Sequence, residues 1–203
     1  SIKDDDWWVR SRAADALAKI GGPRVIEAAL ELIRDQDEDI RRAAIEILNQ
    51  TKDERAIGFL IEATRDSDWW VRERAVDALA EIGSPRALPP LLDLLRTGDE
   101  RSLPTVARAI GKLGDPAVIP RLMPLLASPS KEARLEIITA LARLVDDNSA
   151  DAVRARLESF SAESADPTVS HAAMRAVEDM DARFSTGVRD AQQGAARMVE
   201  PSR

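Results

Sequence analysis

The sequence predicts an all-α protein, a solenoid of about six antiparallel two-helix repeats, and three observations carry that prediction. The first is a period of 31 residues. Asp6-Trp7-Trp8-Val9-Arg10 returns as Asp37-Glu38-Asp39-Ile40-Arg41 and again as Asp68-Trp69-Trp70-Val71-Arg72. The second is helical spacing of apolar residues inside each copy. The third is composition: the chain has 203 residues, 44% of them apolar but only 3% aromatic, with small residues available for close helix contacts.

Each copy divides in the same way. In the first, Val9, Ala13, Ala16, Leu17 and Ile20 share a face at about 100° per residue, with Asp6 as N-cap and Gly21-Gly22-Pro23 as the stop. A second helix follows, with Ile26, Ala29, Leu30 and Ile33 on its apolar face. One such pair cannot cover its own apolar stripe, so successive pairs must stack. Repeats therefore start near Asp6, Asp37, Asp68, Asp99, Ser130 and Asp166, filling residues 1–184. Residues 185–203 form a polar cap or linker. Val145-Asp146-Asp147-Asn148-Ser149 is an insertion that predicts a loop before the sixth, weaker copy. Ile2 to Asp6 aligns with Ile33 to Asp37, the end of a second helix, so the chain starts inside a repeat and is expected to be a segment of something longer.

The pattern from Asp68 to Pro85, Asp-x-x-Val-Arg-x-x-Ala-x-x-Ala-Leu-x-x-Ile-Gly-x-Pro, resembles the bacterial HEAT-like repeat of phycobilin lyases, and the likeness recurs in register over about 180 residues. The resemblance implies a ladder of Asp35 and Asp66 with Arg10, Arg41 and Arg72 between repeats, and a groove lined by the second helices. The ladder breaks at Leu103, beside Pro104, where a change of curvature is expected. Family likeness alone does not choose a function, since one fold serves many.

The formal charge of -7 provides no global attraction for nucleic acid or an anionic membrane. There is no cysteine for a disulfide or thiolate site, and no stretch near the roughly 18 apolar residues of a membrane span. A cytoplasmic protein is expected. Asp35 to Asp39 with Glu46 imitates a calcium loop, but Ile40 stands where such loops need Gly. His171, the single histidine, cannot build a multi-histidine centre and reads as a helix surface residue. No metal, cofactor or catalytic constellation is expected. For that reason the activities of HEAT-like relatives, including bilin attachment, di-iron hydroxylation and alkylpurine excision, transfer no residue to this chain.

Two sets of residues are candidates for binding a partner. Trp7 and Trp8, with Trp69 and Trp70 two repeats later, flank core positions on both sides, so both members of a pair cannot be buried. One Trp of each pair stabilising the stack is the alternative to an aromatic anchor. The second set lies on the second helices: Arg24, Arg55 and Arg86 form one column, Glu31, Glu62 and Asp93 another, and Phe59 and Arg121 share the outward register. Arg24, Arg55 and Arg86 sit at the unfavourable helix end, where a partner carboxylate or phosphate accounts for them better than dipole compensation, and an ordinary solvated face with internal ion pairs is the favoured alternative. The expectation is a non-catalytic interaction scaffold for a protein or peptide, the docking or regulatory segment of a larger bacterial protein. The alternatives are a HEAT-repeat enzyme or accessory factor of the phycobilin-lyase type and a nucleic-acid-binding HEAT protein of the alkylpurine glycosylase type.

Overall fold

The computed structural model describes residues 6–97 and 100–198. The side chains of Trp7, Ser11 and residues 185–198 are not among those described. Helices and short 3-10 turns account for the regular structure, with no strand among the described residues. First helices are α1 (Trp7–Ile20), α3 (Glu38–Thr51), α5 (Trp69–Ile82), α7 (Leu103–Leu113), α9 (Lys131–Leu144) and α11 (Pro167–Met198). Second helices are α2 (Pro23–Leu32), α4 (Ile57–Ala63), α6 (Leu88–Thr97), α8 (Ile119–Leu122) and α10 (Ala150–Glu163).

The starts follow the predicted caps. Side chains of Asp6, Asp37, Asp68 and Ser130 accept from Trp8 N (2.9 Å), Asp39 N (2.9 Å), Val71 N (3.0 Å) and Ala133 N (3.2 Å). Each satisfies an amide that the helix leaves unpaired. Asp99, the expected start of the fourth copy, lies outside the described residues, and α7 begins at Leu103 with Pro104 in its first turn. Helix α7 is therefore 11 residues long where α5 has 14. The ends turn through the left-handed region at Gly21, Gly83 and Gly114. Lys52 occupies the same register position at φ 51°, a conformation that L side chains avoid.

Two compact units divide the chain at Leu113–Gly114. In residues 6–113, α1, α3, α5 and α7 lie directly against one another in that order, while α2, α4 and α6 each pack on the following first helix. Ile45, Leu48, Ile57, Leu60, Leu79, Leu91 and Ile110 are fully buried between the layers. Each such side chain contributes about 1.5–3 kcal/mol by leaving water. Helix α1 departs from its predicted face: Ala14 is buried, but Ala16 is exposed and Ile20 is 74% exposed. Ile47 and Ala78, the equivalents of Ala16, are buried because α3 and α5 have first helices on both sides, whereas α1 packs mainly on α3 and, more lightly, on α2 among the described elements.

In the second unit α9 packs on α11, and α10 on α11, around Ile137, Leu141, Val153, Leu157 and Val169. Helix α8 stops after four residues and continues as a 3-10 turn, Met123–Ala127. Pro124 has no amide hydrogen to give the carbonyl of Pro120, which removes the α-helical bond at that step. Val145 to Ser149 is a loop as expected, closed by Asp146 accepting from the Ser149 amide at 2.9 Å. Helix α11 runs through position 184 without a break to Met198.

Candidate partner-binding groove

The first-helix layer of residues 6–113 is tied together by cations that reach across repeats. Arg41 on α3 clasps Asp66 with two parallel bonds (2.8 and 2.9 Å) and donates to the carbonyls of Asp35 (2.9 Å) and Gln36 (3.0 Å). Arg72 repeats the second half of this device on the carbonyls of Asp66 (2.8 Å) and Ser67 (3.0 Å). Position 97, one period after Asp66, is Thr. Arg10 pairs with Asp39. Arg42 binds the buried Asp68 (2.6 Å), and that hydrogen bond holds the Asp68 carboxyl below the usual carboxylate range despite its burial.

Two clefts open on this layer. One, of about 480 Å³, is lined by Arg10, Ala14, Asp15, Asp39, Arg42, Ala43, Glu46 and Trp70. Trp70 stands half-buried on the wall of this cleft, with the Arg74 guanidinium 5.6 Å from its ring centre. The other, of about 430 Å³, lies between α3, α5 and α7. There Asp77 accepts from Arg74 (3.4 Å) and Arg108 (3.2 Å), while Glu81 is held by Lys112 and by Lys52 (2.8 Å). Hydrogen bonds from the two lysines, Lys112 first, pull the Glu81 carboxyl down to about 2. Arg74 also reaches Glu46 at 3.0 Å.

The candidate residues fall on two layers. Trp69 and Trp8 are 54% and 55% exposed, and Trp70 lines a cleft, so the third repeat splits its pair into one exposed and one packed ring. The side chain of Trp7 lies outside the described residues. Arg24, Glu31, Arg86 and Arg121 are exposed on the second-helix side. Arg55 folds back on Asp53 (2.9 Å), the cap of its own turn. Glu62 receives Arg34 (2.6 Å), and Asp93 receives Arg65 (3.5 Å) and Arg96 (2.8 Å). Phe59 carries the Arg34 guanidinium 4.5 Å from its ring centre. The acidic column is thus largely matched by arginines of the same layer. His171 is exposed on α11.

The expectation that second helices line the groove is corrected by the packing. Closely spaced helices form the inner side of a curved stack, and in residues 6–113 these are the first helices. Sequence reasoning passed over Lys52, Asp77, Glu81, Arg108 and Lys112. Their signal was a change of sign in two columns of register: Asp15, Glu46 and Asp77 give way to Arg108, and Glu81 to Lys112.

Paired helices of this spacing, stacked through their first helices and locked by cross-repeat ion pairs, define an α-solenoid repeat protein. The model for HEAT repeats matches residues 1–46, 26–105 and 104–178, and the chain belongs to that family. No curated protein matches its sequence. Among solved structures it is similar to a designed armadillo repeat protein in complex with peptide (KR)4, at 20% identity and TM-score 0.64, over 88% of this chain and 96% of that one. It is also similar to the complex of CpcE and CpcF of phycocyanin lyase from Nostoc sp. PCC7120, at 19% identity and TM-score 0.62, over 87% and 84%. An engineered protein matches at 22% identity and TM-score 0.57, over 89% and 94%. Identities at this level show a common fold.

Proposed function

We propose that this chain is a non-catalytic scaffold that docks a protein or peptide partner in the groove formed by α1, α3, α5 and α7. Trp70 carries the reading. A large aromatic ring, half-buried on the wall of a cleft shared with Arg42 and Glu46 and approached by Arg74, is the kind of anchor that dominates binding energy once a partner excludes water around it. Trp69, more exposed, lines a separate cleft with Arg72, Glu73, Arg101 and Ser102. The designed armadillo protein of similar fold, seen with a peptide, supports use of such a fold for peptide docking. On this reading the chain is a docking or regulatory segment of a larger bacterial protein and works in the cytoplasm. No described helix is long and apolar enough to cross a membrane.

The test is recovery of partners from the source organism with the wild-type protein and with Trp70→Ala. Loss of the recovered set on Trp70→Ala, with retention on Arg86→Ala in the second-helix layer, is the expected outcome. An unchanged set makes the tryptophans structural and overturns the reading. A role as an accessory factor of the phycobilin-lyase type draws support from the likeness to CpcE and CpcF. Its measurable consequence would be a bilin absorption band shifted on mixing with this chain.

A further inference from the structure

Helices α1 and α5 are near copies of one another. Their sequences differ only where Ser11, Ala14 and Lys19 stand in place of Glu73, Val76 and Glu81. The same side chains in the same register should be covered alike, yet they are not. Val71, Ala75, Ala78 and Leu79 are fully buried on α5, whereas Val9, Ala13 and Leu17 are only half-buried on α1 and Ala16 is exposed. Both helices have a first helix after them, α3 for one and α7 for the other. What α5 has, and α1 lacks among the described residues, is a helix pair before it, α3 and α4, both packed on it. The uncovered face of α1 is therefore the face on which α5 carries α3 and α4.

The charged groups repeat the difference. Arg74 lies 5.6 Å from the Trp70 ring centre, pairs with Asp77 of its own helix at 3.4 Å, and reaches Glu46 on α3 at 3.0 Å. Arg12 keeps the first two contacts, 5.7 Å from the Trp8 ring centre and 3.6 Å from Asp15. The third is what a preceding helix supplies, and the Arg12 side chain is accordingly 65% exposed where that of Arg74 is 30%. Near the helix C-terminus the sign is reversed. Lys52, just past α3, meets Glu81 at 2.8 Å, but the equivalent of Glu81 on α1 is the exposed Lys19.

We infer that this face of α1 is a docking surface for a helix pair of the α3–α4 type on a partner protein, seated as α3 and α4 are seated on α5. The register states the chemistry of the occupant. It offers small or branched apolar residues to Ala13, Ala16 and Leu17, a carboxylate at the position of Glu46 for Arg12, and a second carboxylate in place of Lys52 for Lys19. Apolar burial supplies the attraction, and the two carboxylates set the alignment. A second copy of this chain fits less well, because its α3 and α5 already have first helices on both sides and would have to leave their own stack. The surface lies on the side of α1 away from α3, and the inference does not rest on docking at Trp70.

Two peptides of residues 36–66 test it, one natural and one carrying Lys52→Glu, each stapled on the side of α3 away from the contact so that it is helical before mixing. Binding to the full chain is read by calorimetry. The Lys52→Glu peptide is expected to bind, and the natural peptide to bind roughly threefold more weakly because like charges meet at Lys19. Lys19→Glu in the chain should reverse that order. Ala16→Gln should weaken both peptides by at least about tenfold, since its equivalent Ala78 is fully buried and leaves no room for a longer side chain. Ala16 is exposed in the chain alone, so the thermal midpoint of that variant should stay where it is. Trp70→Ala should bind both peptides as the wild type does. No binding of either peptide, binding that Ala16→Gln leaves intact, or an order that Lys19→Glu fails to reverse overturns the inference. Loss of binding on Trp70→Ala overturns it by moving the peptides to the groove. A dimer of the chain that Ala16→Gln dissociates overturns it too, by making a second copy the occupant.

Discussion

The two helix layers of residues 6–113 are built from the same repeat, yet their charges do different work. In the first-helix layer, Arg41 and Asp66 have side chains only 11% and 12% exposed and share four hydrogen bonds with each other and with the turn before α3. In the second-helix layer, Arg34 and Glu62 form a comparably short pair at 58% and 62% exposure. Geometry is similar, but solvent is not. Water screens the second pair and leaves it worth about 0–1 kcal/mol, while the first pair, once broken, strands a charge beside the core. Close spacing of first helices therefore converts surface charges into structural ties, and wide spacing leaves them solvated.

Substitutions can break or sharpen this contrast, beginning with the core beneath both layers. Leu79→Ala, at a fully buried position of α5, is expected to lower unfolding free energy by about 2–5 kcal/mol in urea titration. Arg41→Ala should follow at about 2–3 kcal/mol, because Asp66 and two carbonyls lose their donor. Arg34→Ala in the other layer should stay within about 0.5 kcal/mol. If Arg34→Ala proved as damaging as Arg41→Ala, the contrast between the layers would fail.

Acid should act on the first-helix layer. Glu81 titrates at about 2 when folded, below its ordinary 4.5, so its folded form binds fewer protons than the unfolded chain across that window. Its stabilisation is complete above pH 4.5 and disappears as pH falls toward 2. Asp68, held down by Arg42, changes in the same direction. Glu81→Gln should flatten the loss of thermal midpoint between pH 4.5 and 2. One expected effect is a gain. Lys52→Gly relieves the left-handed residue by about 1 kcal/mol and loses one exposed pair, for a net change of about 0–1 kcal/mol toward stability.

Much of the local structure was legible along the chain. Asp6, Asp37, Asp68 and Ser130 cap helices where the period places them, because a short polar side chain before an apolar stripe answers an unpaired amide without help from distant residues. The Arg41–Asp66 rung was legible too, through the likeness to HEAT repeats. The α8 break was present in the spacing of Pro120 and Pro124 but was not read from it. The site was legible only in part. The Trp pairs stood out as aromatic residues in a chain with few, yet their sequence position did not say that Trp70 would be half-buried in a cleft while Trp69 stayed exposed.

By itself the sequence determined the helices, their caps, the period and the stacking, since each follows from apolar spacing and short-range hydrogen bonding within about one repeat. Which layer faces inward was decided only by tertiary packing. Both helices of a repeat carry a similar apolar stripe, and periodicity says that they pair without saying which row lies closer. Once the first helices close on one another, residues a full period apart become neighbours. Lys52 and Lys112 then meet on Glu81, an encounter between positions 60 residues apart that no local pattern contains.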